Sequence, residues 1–226
     1  DLNAKTIICE KPLCIDFKES QGIAKIIKKN DVNFFTNFHR RSINNLISLK
    51  SKLKNCIAIN VHYNNGLHNY ASHAIDLINF YFGKLKYVKS LEEKKFSSKY
   101  DRSVSFYGML EDNKKVTFHS YDEISYDLFD LEFVCKDRRI TLKTGGAIIC
   151  EEQPILGNFY EGYKHLKVIK IKNKKNEDFK EFYNNLYNYM VTGKKTTLCT
   201  LEDACYVVKV CDKVIKSFKT GKKIYI

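Results

Sequence analysis

The chain has 226 residues, 44% of them hydrophobic and 13% aromatic, with two prolines and ten glycines, which suits a packed core and excludes a disordered or linker-rich chain. The formal net charge is +13, yet the lysines fall in short scattered pairs such as Lys28-Lys29, Lys114-Lys115 and Lys222-Lys223, the pattern of a solvated surface rather than a nucleic-acid-binding stripe. None of the eight cysteines forms a CxxC pair and several sit in apolar runs, so they read as buried free thiols of a reducing, cytoplasmic compartment; no apolar run approaches the ~20 residues of a membrane span.

Thr6-Ile7-Ile8-Cys9 is a short apolar strand, followed by Glu10-Lys11-Pro12-Leu13. Residues 16–29 have helical spacing, with Asp16 as N-cap and Ile23, Ile26 and Ile27 on one face. Residues 31–38 form a second strand, so the opening is a βαβ unit of about 30 residues with parallel strands. A helix is predicted over 42–53, a strand over 56–63, a loop over 64–69 and a helix from 70 to 82 closed by Gly83. The pattern then turns to hairpins. Strands at 104–110 and 116–121 flank Glu111-Asp112-Asn113-Lys114, and strands at 128–135 and 139–143 flank Lys136-Asp137-Arg138. Strands at 147–150 and 166–171 follow, then helices at about 177–191 and 201–220, the last capped by Gly221. The fold class is α/β plus α+β: a Rossmann-type parallel remnant followed by an open-faced antiparallel sheet with helices on one side.

Lys11 stands just past a parallel strand, where open α/β sheets bind ligands, and the following proline restricts its backbone. It can hydrogen-bond a substrate hydroxyl and favour its alkoxide character. Taken alone, Glu10-Lys11-Pro12 also describes a surface turn. Asn69 and His73 share one helix face, with Asp76 a turn beyond. Histidine suits acid/base work near neutral pH, and it also serves as a structural residue at a helix start. His62, His68 and His73 match no compact zinc spacing, so no metal is expected. Nucleophile elbows, phosphate loops and nucleic-acid-binding motifs are missing.

Taken in order, these segments resemble the Gfo/Idh/MocA oxidoreductase family. Ile7 to Leu13 resembles the family's strand plus EKP motif. Asn37-Phe38-His39-Arg40-Arg41 resembles its Arg-Arg strand end, Gly66 to Leu77 the segment opening the substrate-site helix, and Leu201 to Lys222 its last helix. The resemblance implies hydride transfer between NAD or NADP and a hydroxyl-bearing carbon of a sugar or nucleotide sugar, with surface-polysaccharide sugar biosynthesis as a setting. It implies Lys11 and His73 as catalytic residues, Asn69, Arg40 and Asp76 as substrate-binding residues, and Glu10, Lys11 and Pro12 beside the cofactor. Many family members carry Asp where Asn69 stands; asparagine takes no proton, so the acid/base work passes to His73 and Lys11.

In the family a GxGxxG half precedes the EKP strand, and these 226 residues hold none. Residues 1–39 are therefore expected to end a dinucleotide-binding domain, and 40–226 to form the substrate-binding and oligomerisation domain. The chain is expected to be a fragment that binds NAD poorly alone, with subunits pairing through the antiparallel sheet and no nucleic-acid or membrane partner. The alternative is a truncated, non-catalytic binding or oligomerisation module.

Overall fold

The computed structural model of the chain describes residues 4–91, 101–121, 124–157, 160–173, 178–194 and 196–226. In chain order its elements are β1 (Thr6–Cys9), α1 (Phe17–Lys29), β2 (Asn33–Thr36), α2 (Asn44–Leu49), β3 (Cys56–Tyr63), α3 (Ser72–Phe82), β4 (Leu85–Ser90), β5 (Phe106–Leu110) and β6 (Lys115–Ser120). They continue with β7 (Phe129–Cys135), β8 (Arg139–Lys143), β9 (Ile148–Leu156), β10 (Lys164–Asn173), α4 (Asp178–Thr192), β11 (Cys199–Thr200), α5 (Leu201–Thr220) and β12 (Ile224–Tyr225).

The opening unit is parallel, with Ile7 beside Phe34 and Cys9 beside Thr36. Asp16 starts α1 by accepting the backbone N–H of Glu19 at 2.8 Å, which satisfies one of the donors a helix start leaves unpaired. Ile23, Ala24 and Ile27 turn α1 toward the core, whereas Ile26, expected on that face, flanks the stripe and is exposed. β11 returns from the far end of the chain to pair antiparallel with β2. The small sheet thus shares residues from both ends of the sequence.

The remaining strands form one nine-stranded sheet in the order β10-β9-β8-β7-β3-β6-β5-β4-β12. Two antiparallel meanders, β4-β5-β6 and β7-β8-β9-β10, lie on either side of β3. β7 runs antiparallel to β3, but β6 runs parallel to it, because the meander that begins after α3 reaches β3 with its third strand. The sheet is therefore mixed at this one seam. On β7, buried Phe129, Leu131, Phe133 and Cys135 alternate with half-exposed residues, as expected when one face is covered. The cover is α3 and α5, whose buried residues join those of the sheet in one apolar cluster. Thr200 caps α5 by accepting the Asp203 N–H at 3.2 Å, and Gly221 ends it in the left-handed conformation.

Two predicted helices differ. The helix expected over 42–53 shortens to α2; Ser42 instead ends a 3-10 turn, His39–Ser42, and Ile43 between the two is extended and buried in the core. The helix expected from Tyr70 opens instead with a π-helical turn, Leu67–Ala71, that runs into α3. Glu177, the expected start of the penultimate helix, lies outside the described residues.

Candidate active site

The carboxyl ends of β1 and β2, the π-turn before α3 and the β8–β9 connection converge on one locus. Glu10 leaves β1 and its carboxylate accepts Asn37 Nδ2 at 2.8 Å, which ties the end of β1 to the end of β2. The Lys11-Pro12 peptide is cis. The Lys11 ammonium reaches across to the π-turn, where it donates to Asn69 Oδ1 at 2.5 Å and to the Asn69 carbonyl at 3.1 Å. Two residues 58 positions apart are thereby clamped together. Burial lowers the Lys11 pKa below its ordinary value, and nearby Arg40 lowers it further against the opposing charges of Asp101 and Glu10.

His73 occupies the first turn of α3, 6% exposed, with its ring edge-on to Phe38 at 5.4 Å and facing His39 and Phe129. Burial drives its pKa well below 6.5, helped by the positive charges of Arg40 and Lys11. The imidazole is consequently neutral near pH 7. Its Nδ1 is buried and has no hydrogen-bond partner among the described residues. An unpaired buried nitrogen carries a desolvation cost on the order of 1–3 kcal/mol, which a bound ligand atom can relieve.

The two arginines divide their work. Arg40 donates through Nε to the Gly145 carbonyl at 2.9 Å and lies over the Phe129 ring, 4.8 Å from its centroid, with its charge felt at Lys11 and His73. Gly145 has φ +64°, and a Cβ there would meet the Arg40 guanidinium at 2.7 Å, so glycine is needed for this approach. Arg41 points into the core instead. Its Nε donates to Asp76 at 2.8 Å and its terminal nitrogen to Asp203 at 2.7 Å, while Asn79 donates to the other Asp203 oxygen at 2.8 Å. Asp76, which the resemblance places beside the substrate, is only 1% exposed, and its carboxylate accepts Arg41 Nε. Its role here is to lock α3 to the turn after β2 and to α5.

Asp101 has no warning in the sequence. Its carboxylate accepts the backbone N–H groups of His68 at 2.9 Å and Asn69 at 2.7 Å, as well as His68 Nδ1 at 3.0 Å. Burial pushes its pKa up, but these hydrogen bonds outweigh burial and hold it below the ordinary aspartate value. It thereby caps the π-turn that presents Asn69 to Lys11. A Cβ on Gly66, whose φ is +97°, would lie 2.1 Å from this carboxylate, so the turn requires glycine. Among the described residues, no group of three or more His, Cys, Asp or Glu is arranged to hold a metal ion, and no helix is long and apolar enough to cross a membrane.

Lys11 and His73 thus stand where a parallel βαβ unit meets the nine-stranded sheet. Residues 65–226 match the family described as the oxidoreductase family, C-terminal alpha/beta domain, and the chain belongs to this Gfo/Idh/MocA family. A comparison with curated protein sequences returns no match. Among solved structures, a super-repressor mutant of Gal80p from Saccharomyces cerevisiae superposes with a TM-score of 0.80 at 12% identity, covering 100% of this chain and 73% of that one. An NAD-binding oxidoreductase from Klebsiella pneumoniae gives 0.78 at 9% identity, covering 98% and 73%. The UDP-N-acetylglucosamine 3-dehydrogenase GnnA from Acidithiobacillus ferrooxidans gives 0.76 at 10% identity, covering 93% and 70%. At these identities the likeness is one of fold.

Proposed function

We propose that this chain is the substrate-binding and acid/base part of an NAD- or NADP-dependent dehydrogenase acting on a hydroxyl of a sugar or nucleotide sugar. Residues 1–39 would end its dinucleotide-binding domain. The observation that carries the reading is the buried, unpartnered Nδ1 of neutral His73 in the same charged locus as Lys11. The likeness in fold to GnnA, a UDP-N-acetylglucosamine 3-dehydrogenase, favours a nucleotide-sugar substrate within this reading.

The residues present fit one end of the cofactor. Glu10, Lys11 and Pro12 stand at the carboxyl end of a parallel strand, where a nicotinamide would lie, with Glu10 anchored by Asn37. When bound, the nicotinamide supplies the acceptor or donor of a hydride. Lys11 then binds and polarises the reacting oxygen. Asn69 fixes its ammonium without neutralising it, so the positive charge stays available for a developing alkoxide. His73 takes the hydroxyl proton in oxidation and returns it in reduction. Its depressed pKa keeps the imidazole in the proton-accepting form. Arg40, fixed by Gly145 and Phe129, is a substrate contact on the open side of the locus.

Subunits pair through the antiparallel sheet in this reading, consistent with the exposed Leu166, Val168 and Ile171 on β10. The second reading, a non-catalytic binding module, draws on the likeness in fold to the super-repressor mutant of Gal80p. Nicotinamide reduction monitored at a panel of nucleotide sugars with the complete natural protein separates the two. Turnover that depends on Lys11 and His73 supports the dehydrogenase; ligand binding without turnover supports the module.

A further inference from the structure

At the opposite end of β3 from the candidate site, two thiols face each other. Cys56 opens β3, Cys135 closes β7, and the antiparallel register sets them opposite each other, with the ladder shifting by one residue between Cys56 and Ala58. The ladder bond next to them is Lys136 N–H to Asn55 O at 3.1 Å. The Cys56 N–H goes instead to Leu53 O at 3.0 Å, and that of Cys135 to Arg138 O at 2.9 Å. Neither N–H bonds across to the opposed cysteine, and in a regular ladder a non-hydrogen-bonded pair of this kind brings opposed Cα atoms to about 4.5 Å. That spacing falls within the roughly 4.4–6.8 Å that a disulfide spans. Both residues are buried and both are reduced, and the Cys56 thiol donates to the Ala58 carbonyl at 3.4 Å. Contact with Cys56 holds the Cys135 thiol below its ordinary pKa against the effects of burial and Asp137. This favours the thiolate, which is the nucleophile of disulfide exchange.

Other cysteines lack this arrangement. Cys14 and Cys205 lie near one another, but they stand on a loop and a helix with no fixed register between them.

We propose that Cys56 and Cys135 form an oxidation site, converted by a small-molecule disulfide of the glutathione class into a cross-strand disulfide. The Cys135 thiolate attacks one sulfur of the oxidant and expels the other half as a thiolate. Cys56 gives up its proton and attacks the Cys135 sulfur of the mixed disulfide, releasing the second small thiol. Two protein thiols are oxidised, and one small disulfide is reduced to two thiols. The bond staples β3 to β7 and closes a loop containing α3, β4, β5 and β6.

The test is to incubate the folded chain with excess oxidised glutathione, alkylate the remaining thiols, digest without reduction and map the linked peptides by mass spectrometry. The expected product joins the Cys56 peptide to the Cys135 peptide with loss of two hydrogens. Closing so long a loop should raise the thermal midpoint on the order of 10 °C, reversibly with dithiothreitol. Cys135→Ser and, independently, Cys56→Ser should abolish both effects. Recovery of both cysteines as alkylated thiols, as stable mixed disulfides or bridged to other cysteines would overturn the proposal. The mapping on the unsubstituted chain decides the matter even if both variants fail to fold.

Discussion

Replacing Arg41 by Met tests whether Asp76 is a structural carboxylate or a substrate ligand. The side chains of Arg41 and Asp76 are 4% and 1% exposed and meet at 2.8 Å, with Asp203 completing the clamp at 2.7 Å. Removing the guanidinium leaves Asp76 with no countercharge in the core. Breaking a buried pair from one side costs about 3–5 kcal/mol. For a chain of this size each kcal/mol moves the thermal midpoint by about 2–4 °C, so Arg41→Met should lower it by about 6–20 °C. The double variant Arg41→Met/Asp76→Leu removes both charges and should recover at least half of the loss. Burial already lifts the Asp76 pKa while Arg41 opposes that lift; without Arg41 it rises further. A carboxyl whose folded pKa exceeds its unfolded value of 3.8 contributes stability at low pH that is lost as pH rises through the folded value. The deficit of Arg41→Met should accordingly shrink on acidification toward that value. Circular dichroism melts at several pH values provide the readout, with Lys28→Ala as control: its pair with Glu202 is 65% and 66% exposed and is worth under about 1 kcal/mol. A single variant within about 1 kcal/mol of the parent, or a double variant no better than the single, would refute the buried clamp.

His73 should make stability depend on pH from the other side. Its folded pKa lies well below its unfolded 6.5, so the unfolded chain binds the extra proton and stability falls as pH drops below about 6.5; in urea titrations His73→Gln should lose less between pH 7 and 5, and a parallel loss in both proteins would contradict a buried neutral imidazole. Asn69→Asp places a carboxylate against the Lys11 ammonium and should raise the Lys11 pKa, read by NMR titration of labelled lysine; an unmoved titration would break the Lys11–Asn69 contact. Tyr63 is fully buried, and its hydroxyl donates to the Val104 carbonyl and accepts the Val104 N–H, both at 2.8 Å. Tyr63→Phe should therefore cost about 1–3 kcal/mol and increase amide exchange at Val104 and in the π-turn that Asp101 caps, whereas unchanged exchange would show that the hydroxyl holds nothing in place.

Local chemistry carried much of the architecture. The Asp16 cap, the alternation on β7 and Gly221 after α5 each announce their element within a few residues. The missed pieces depend on distant partners. β11 and β12 are two residues long and exist only because β2 and β4 offer them an edge. β4 was hidden by a register shift between Leu85 and Tyr87, which breaks its apolar alternation. The parallel seam between β3 and β6 follows from how two meanders meet, which no hairpin signal encodes. At the candidate site, Lys11, Asn69 and His73 were legible from type and spacing and Arg40 from the resemblance, and the structure brings the four to one locus. Asp101, Gly145 and the true partner of Asp76 were not legible, because each acts across a sequence gap of tens of residues on a backbone group or a buried charge.

The most direct test of the central claim is turnover of the complete natural protein with NAD or NADP and the best substrate of a nucleotide-sugar panel. A positioned acid/base is worth about 100-fold or more, so Lys11→Ala and His73→Ala should each lower kcat by more than about tenfold while the fold is retained. Near-parental kcat in folded Lys11→Ala and His73→Ala variants would contradict the account.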